Sequence, residues 1–151
     1  MITRLIVTVF GLGYLPVAPG TWASLAAALV AWGIIDIIGE SGLILVTALC
    51  LALGIWAPQK YIERTDSKDP SEIVIDEIGG MWLSLLLVPK IWWAYGLAFV
   101  AFRLFDILKP WPASFFDQKV EGGLGIMGDD VVAALYTLIV VHGALYIRGV
   151  G

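Results

Sequence analysis

The sequence predicts an all-α protein: a compact helical bundle embedded in a membrane, with about five main apolar helices and charged cytoplasmic ends. Three observations carry that expectation. Of the 151 residues, 60% are apolar and 15% charged, against about 45–50% and about 25% in an ordinary soluble domain. The mean hydropathy of +0.90 leaves too few polar side chains to clothe a water-facing surface. Apolar stretches of helical length alternate with short charged or Pro/Gly-rich breaks. The length fits a single domain, 1–151, and no internal repeat divides it. Disorder is excluded, because disordered chains are poor in apolar residues. A net charge of −4 would repel the phosphates of nucleic acid. One cysteine, Cys50, excludes an intrachain disulfide framework and a multi-cysteine zinc site.

Taken in order, residues 2–10 form a short apolar run carrying Arg4, without the cleavage pattern of a secretory signal. Residues 11–24, GLGYLPVAPGTWAS, read as an irregular loop opening the first long helix. Free N–H groups there, with the Thr21 and Ser24 hydroxyls, suit an anion. Simple N-capping by Thr21 explains the same residues. The first apolar segment covers 21–38 and the second 42–58, separated by the polar turn Gly39-Glu40-Ser41-Gly42. Asp69-Pro70-Ser71-Glu72 reads as the start of the third, with Asp69 as cap and Pro70 at the first helical position. That segment ends at Val88. The fourth covers 91–109, stopped by Pro110 and Pro112, and the fifth 129–147. The third and fourth approach the ~20 residues that cross a bilayer only by including charged ends.

If the segments alternate in direction, Arg4, Lys60, Arg64, Lys68, Arg103, Lys109 and Lys119 fall on one side. Only Lys90 and Arg148 fall on the other. The positive-inside rule places the crowded side in the cytoplasm. Eleven of the thirteen carboxylates join it; Asp36 and Glu40 do not.

The groups able to do chemistry lie in that crowd. Asp76 and Glu77 follow Glu72 by one turn and precede Gly79-Gly80. On a helix, Glu72 and Asp76 share a face, where two like charges need a counterion. A divalent cation held by oxygen ligands suits magnesium. A solvated amphipathic helix start accounts for the same three carboxylates. Arg103, Asp106 and Lys109 recur at i, i+3 and i+6. They fit either a surface salt-bridge ladder or a metal ligand flanked by two phosphate-binding cations. Gly122-Gly123-Leu124-Gly125-Ile126-Met127-Gly128 then leads into Asp129-Asp130 at the expected start of the last helix. Capping accounts for one of those aspartates. Cys50 sits mid-helix among Leu and Ala, which suits core packing. The lone histidine, His142, lies in the last apolar segment, away from the clusters, and is expected to be buried and hydrogen-bonded. With neither available as nucleophile, a carboxylate–metal site with basic residues remains, suited to phosphoryl chemistry.

Four motifs together resemble the phosphatidylglycerophosphatase A family. They are GYLPVAPGTW at 13–22, IVIDEIGG at 73–80 with Trp82, FRLFDILKPWP at 102–112, and GGLGIMGDD at 122–130. The resemblance runs from Gly11 to Ala134, with Ala23 standing where the family's pattern suggests glycine. It implies a magnesium-dependent bacterial enzyme that hydrolyses phosphatidylglycerophosphate to phosphatidylglycerol and phosphate. The expected setting is the cytoplasmic (inner) membrane, multi-pass, with the active site facing the cytoplasm and the phospholipid substrate held in the bilayer. Asp76, Glu77, Asp106, Asp129 and Asp130 are the expected metal ligands. Asp76, Glu77, Asp106 and Asp130 are the expected catalytic groups. Thr21, Ser24, Arg103 and Lys109 are expected to bind the substrate phosphate. A phospholipid-synthesising phosphotransferase would also gather aspartates at a membrane, but its Asp-Gly…Ala-Arg…Asp…Asp array is missing. A transport subunit would place charges within the membrane, whereas these cluster at one end.

Overall fold

A computed structural model describes residues 2–65 and 70–150, and every regular element among them is helical. In order they are α1 (Ile2–Val7), a 3-10 turn at Leu12–Tyr14, α2 (Pro19–Thr65), α3 (Ile75–Ser84), α4 (Trp92–Leu108), α5 (Ala113–Lys119) and α6 (Gly123–Ile147).

The long α2 is not one rod. Gly39 breaks it with φ 72° and ψ −177°, a left-handed conformation that glycine adopts without strain. In the first half, Ser24 meets Glu77 and the Ala27 carbonyl accepts a 2.9 Å bond from the Trp82 indole. In the second half, Gly54 lies beside Ile75 while Val46 shares a groove wall with Trp82. Contacts ascend α3 along one half and descend it along the other, so the halves run antiparallel. The turn expected at Gly39–Gly42 is therefore present, and the first two apolar segments are separate helices.

The third segment departs from expectation. Asp69 lies outside the described residues. Pro70–Val74 is a turn closed by a 3.0 Å bond from Ile73 N–H to the Pro70 carbonyl, and the helix begins only at Ile75. Glu72 is thus not one helical turn from Asp76 on a common face; its carboxylate accepts a 2.8 Å bond from the Tyr61 hydroxyl. Ten residues of α3 rise about 15 Å, half the ~30 Å thickness of a bilayer core. Among the described residues, the kinked Pro19–Thr65 and the Gly123–Ile147 helix are long and apolar enough to cross a membrane, rather than all five expected segments.

What α3 does is fill the centre. Ile75, Ile78, Gly79, Gly80, Met81 and Ser84 are buried between both halves of α2, α4 and α6. The surrounding core is built from small residues: Ala23, Ala27, Ala31, Ala57, Ala94, Ala98, Ala133 and Ala134 are all essentially inaccessible. Large apolar side chains such as Leu29, Ile37, Val100 and Ile139 face outward. Small residues inside and large ones outside is the packing expected of helices in lipid, where close backbone approach replaces hydrophobic burial.

The glycine-rich segment is also not the loop expected before the last helix. It forms the first two turns of α6, which starts at Gly123. A Cβ at Gly123 would sit 1.9 Å from the Ile55 carbonyl oxygen, and one at Gly128 would meet the Phe116 ring at 2.3 Å. These glycines bring α6 against α2 and α5. They also move Asp129 and Asp130 from the expected capping position into the second turn of the helix, where both are buried.

Candidate active site

Three helices deliver charge to one end of the bundle. Asp76 and Glu77 occupy the first turn of α3, Arg103 and Asp106 the last turns of α4, and Asp129 and Asp130 the second turn of α6. Lys109 caps α4 in the left-handed conformation (φ 45°, ψ 56°), its N–H bonded to the Phe105 carbonyl. That turn brings its ammonium onto Asp129 and within 2.8 Å of Asp117 on α5. Arg103 pairs through Nη1 with Glu77 and, at 2.8 Å, with Asp106. One carboxylate oxygen each from Asp106, Asp129 and Asp130 lies within 4.8 Å of the others. A cleft of about 740 Å³ opens over Asp76, Glu77, Asp106, Lys109, Asp129 and Asp130. The opposite end is sparsely charged, with Asp36 paired to Lys90.

Seven of the nine expected site residues therefore meet here, and two stand apart from the cleft wall. The Ser24 hydroxyl is 2.9 Å from Glu77 Oε2 and 2.8 Å from the Gly20 carbonyl oxygen, so its proton is spent on protein acceptors. Pro19 takes the first helical position, which places Thr21 inside the first turn rather than at the cap. Cys50 is buried, as expected, with Sγ 3.8 Å from the Ile75 carbonyl oxygen. His142 is not buried: it lies exposed on the outer face of α6, remote from the cleft.

Three further residues belong to the site's framework. Asp117 holds Lys109 from the side away from Asp129. Gln59 Oε1 accepts a 3.1 Å bond from Gly123 N–H, fixing the start of α6. Gly20 packs so tightly on Glu77 that a Cβ would sit 2.0 Å from Oε1. No periodicity marks these three, since each acts across a tertiary contact.

Seven carboxylates, Asp117 and Glu121 among them, line the cleft with Lys109, and Arg103 pairs with two of them. Burial, and then the charges of Glu77 and Asp129, raise the pKa of Asp76 well above the usual carboxylate value. Burial and the Asp106 charge raise that of Glu77, against the pull of Arg103. Lys109 loses solvation, yet Asp117 and Asp129 more than restore its charge and raise its pKa. Asp76 Oδ1 and Asp130 Oδ2 are buried without a partner among the described residues. Unpartnered buried oxygens, an excess of carboxylates over cations and oxygen-only donors fit a hard divalent cation.

An apolar helical bundle with carboxylates, an arginine and a lysine in one terminal cleft has the layout of a phosphatase for membrane lipids. The chain matches the phosphatidylglycerophosphatase A family over residues 5–145, and it belongs to that family. It is 43% identical to phosphatidylglycerophosphatase A of Haemophilus influenzae, over 91% of this chain and 85% of the relative. It is 38% identical to the Escherichia coli protein of the same name, over 93% and 79%. A Bacteroides thetaiotaomicron protein with the provisional name phosphatidylinositol-3-phosphatase is also 38% identical, over 96% and 94%. No solved structure matches the chain.

Proposed function

We propose that this enzyme hydrolyses the terminal phosphate monoester of phosphatidylglycerophosphate, with magnesium as cofactor, in bacterial phospholipid synthesis. The observation that carries the reading is the cleft itself: carboxylates with unpartnered oxygens stand beside Arg103 and Lys109, at one end of a bundle whose outer surface is apolar. A lipid phosphate can reach such a site while its tails remain in the bilayer.

Asp76, Asp106, Asp129 and Asp130, with Glu77 beside them, are the residues to hold magnesium. Bound there, the ion would offset charge on the phosphoryl oxygens and favour attack by water. Arg103 and Lys109 bind the phosphate and balance the charge that builds on it. One carboxylate of the site takes the proton of the attacking water. The water oxygen bonds to phosphorus, the phosphorus–oxygen bond to glycerol breaks, and the departing oxygen takes up a proton. Phosphatidylglycerol and phosphate are released.

The bundle spans the bacterial inner membrane several times in this reading, with the cleft on the cytoplasmic side, supported by the seven basic residues assigned to that end. The test is phosphate release from phosphatidylglycerophosphate in detergent micelles, compared with phosphatidylinositol 3-phosphate. Magnesium-dependent release from the first, abolished by a chelator, is expected. Undiminished turnover in excess chelator would remove the metal, and preference for the second lipid would reassign the substrate.

A further inference from the structure

We infer that Glu77 is a positioning residue for Arg103, anchored by Ser24, and that it leaves the metal to Asp76, Asp106, Asp129 and Asp130. The inference rests on reading the cleft as a phosphatase site. Adjacent residues on a helix point about 100° apart, and the two neighbouring carboxylates of α3 are used differently. Asp76 has an oxygen buried with no partner among the described residues. Glu77 commits one oxygen, Oε2, to two protein partners. Its Oε1 is pressed against the Gly20 backbone, and its Oε2 accepts from the Ser24 hydroxyl at 2.9 Å and pairs with Arg103 Nη1. The three carboxylates whose oxygens converge within 4.8 Å are Asp106, Asp129 and Asp130, with Asp76 and Glu77 both outside that group.

The consequence falls on the guanidinium. Both ion pairs of Arg103 end on Nη1, one to Glu77 and one to Asp106. Its Nε is buried without a partner. With Nη1 taken by both carboxylates, Nε and Nη2 are the guanidinium donors left for a phosphate oxygen. A buried donor left unpaired is costly until a ligand supplies the acceptor. Without Glu77, the arginine would be tethered only by Asp106, three residues away on its own helix. It would then be free to swing onto the aspartates and compete with the cation they hold. Glu77 keeps the positive charge on the substrate side of the cleft. Ser24 keeps Glu77 there.

The experiment measures two affinities separately on the detergent-solubilised protein. Binding of inorganic phosphate is followed by calorimetry in saturating magnesium, and magnesium binding by the midpoint of its thermal stabilisation. KM and kcat are then taken on phosphatidylglycerophosphate. Glu77→Gln should weaken phosphate binding and raise KM roughly tenfold, the loss of one charge-assisted contact, with the magnesium midpoint little changed. Ser24→Ala should move the same quantities in the same direction by less. Asp76→Asn should instead displace the magnesium midpoint. A tenfold or larger rise in the magnesium midpoint for Glu77→Gln, with phosphate affinity intact, would make Glu77 a ligand and overturn the inference. If Glu77→Gln fails to fold, Ser24→Ala decides, because it preserves every charge; unchanged phosphate affinity there overturns the inference too. Phosphate and magnesium binding as described, without turnover of the lipid, would instead unseat the substrate and leave the positioning role standing.

Discussion

Lys109 and Asp129 form an ion pair that ties the end of α4 to the second turn of α6. The lysine reaches Asp129 because it caps α4 in a left-handed turn, and Asp117 fixes its ammonium from the other side. Lys109→Met removes the charge proposed to bind phosphate and leaves Asp129 buried without its cation. Activity should fall about 100-fold, the scale of losing one preorganised donor in a reaction centre. Thermal stability should fall more in chelator than in magnesium, because a metal can replace the missing positive charge. Equal loss in both conditions would mean that the lysine acts on packing alone.

Glycine at position 20 is a steric requirement of the site. A Cβ would sit 2.0 Å from Glu77 Oε1 and 3.4 Å from Arg103 Nη1. Gly20→Ala should therefore push the carboxylate off its partners and cost most of the activity while the bundle stays folded. Gly96 on α4 has nothing within 4 Å. Gly96→Ala should leave activity alone and raise stability by up to about 1 kcal/mol through helix propensity. Circular dichroism melts and phosphate release on both variants separate the two effects; an active Gly20→Ala enzyme would show that the contact relaxes harmlessly.

The contrast between Glu72 and Asp76 shows how far the sequence carries. Helical spacing put them on one face, but Pro70–Val74 forms a turn, and Glu72 bonds Tyr61 while Asp76 lines the cleft. Local patterns of caps and prolines describe a helix start well, yet they do not reveal when a tertiary partner delays it. The grouping of Arg103, Asp106 and Lys109 was legible because all three lie at one helix end. Gly39 was legible for the same local reason, as a glycine in a polar turn. The glycines before Asp129 were not: they serve close approach to Ile55 and Phe116, residues distant in sequence or on a short helix that no periodicity announced. His142 shows the limit of reading burial from an apolar segment, since the structure leaves it on the exposed outer face of α6.

Acidity should stabilise the metal-free protein. Asp76 and Glu77 both bind their protons more tightly in the fold than ordinary carboxylates, burial being the main cause and neighbouring carboxylates the next. Their raised values contribute stability that is fully present below the unfolded carboxylate pKa of about 4. That contribution is lost as pH rises through the higher folded values. In chelator, the melting temperature should fall as pH rises above the ordinary carboxylate range. Magnesium should flatten or reverse the trend, because it replaces the proton as the counter-charge. A melting temperature that rises with pH in chelator would contradict the shared burial of these groups.

Neither His142 nor Cys50 should matter to turnover. The histidine is exposed on the outer face of α6, and the thiol is packed against the start of α3. His142→Ala and Cys50→Ala should each retain activity within about twofold, as expected for sites that make no charged contact. A folded but inactive His142→Ala enzyme would point to a histidine nucleophile and displace the carboxylate mechanism.

Orientation can be read from two positions at opposite ends of the bundle. Ser41 is exposed beside the Gly39 break, near the Asp36–Lys90 end, and Lys119 is exposed at the close of α5, beside the cleft. A phosphate group carrying about two negative charges cannot be processed within hydrocarbon, where ionised groups are heavily penalised. The cleft is therefore expected at a membrane surface, and the positive-inside rule predicts the cytoplasmic one. Single cysteines at each position, in a Cys50→Ala background, can be labelled in intact cells with a membrane-impermeant thiol reagent. Ser41→Cys should react from outside, and Lys119→Cys should react only after the cells are opened. Labelling of Lys119→Cys in intact cells would place the cleft on the outer face, and its lipid substrate in the opposite leaflet.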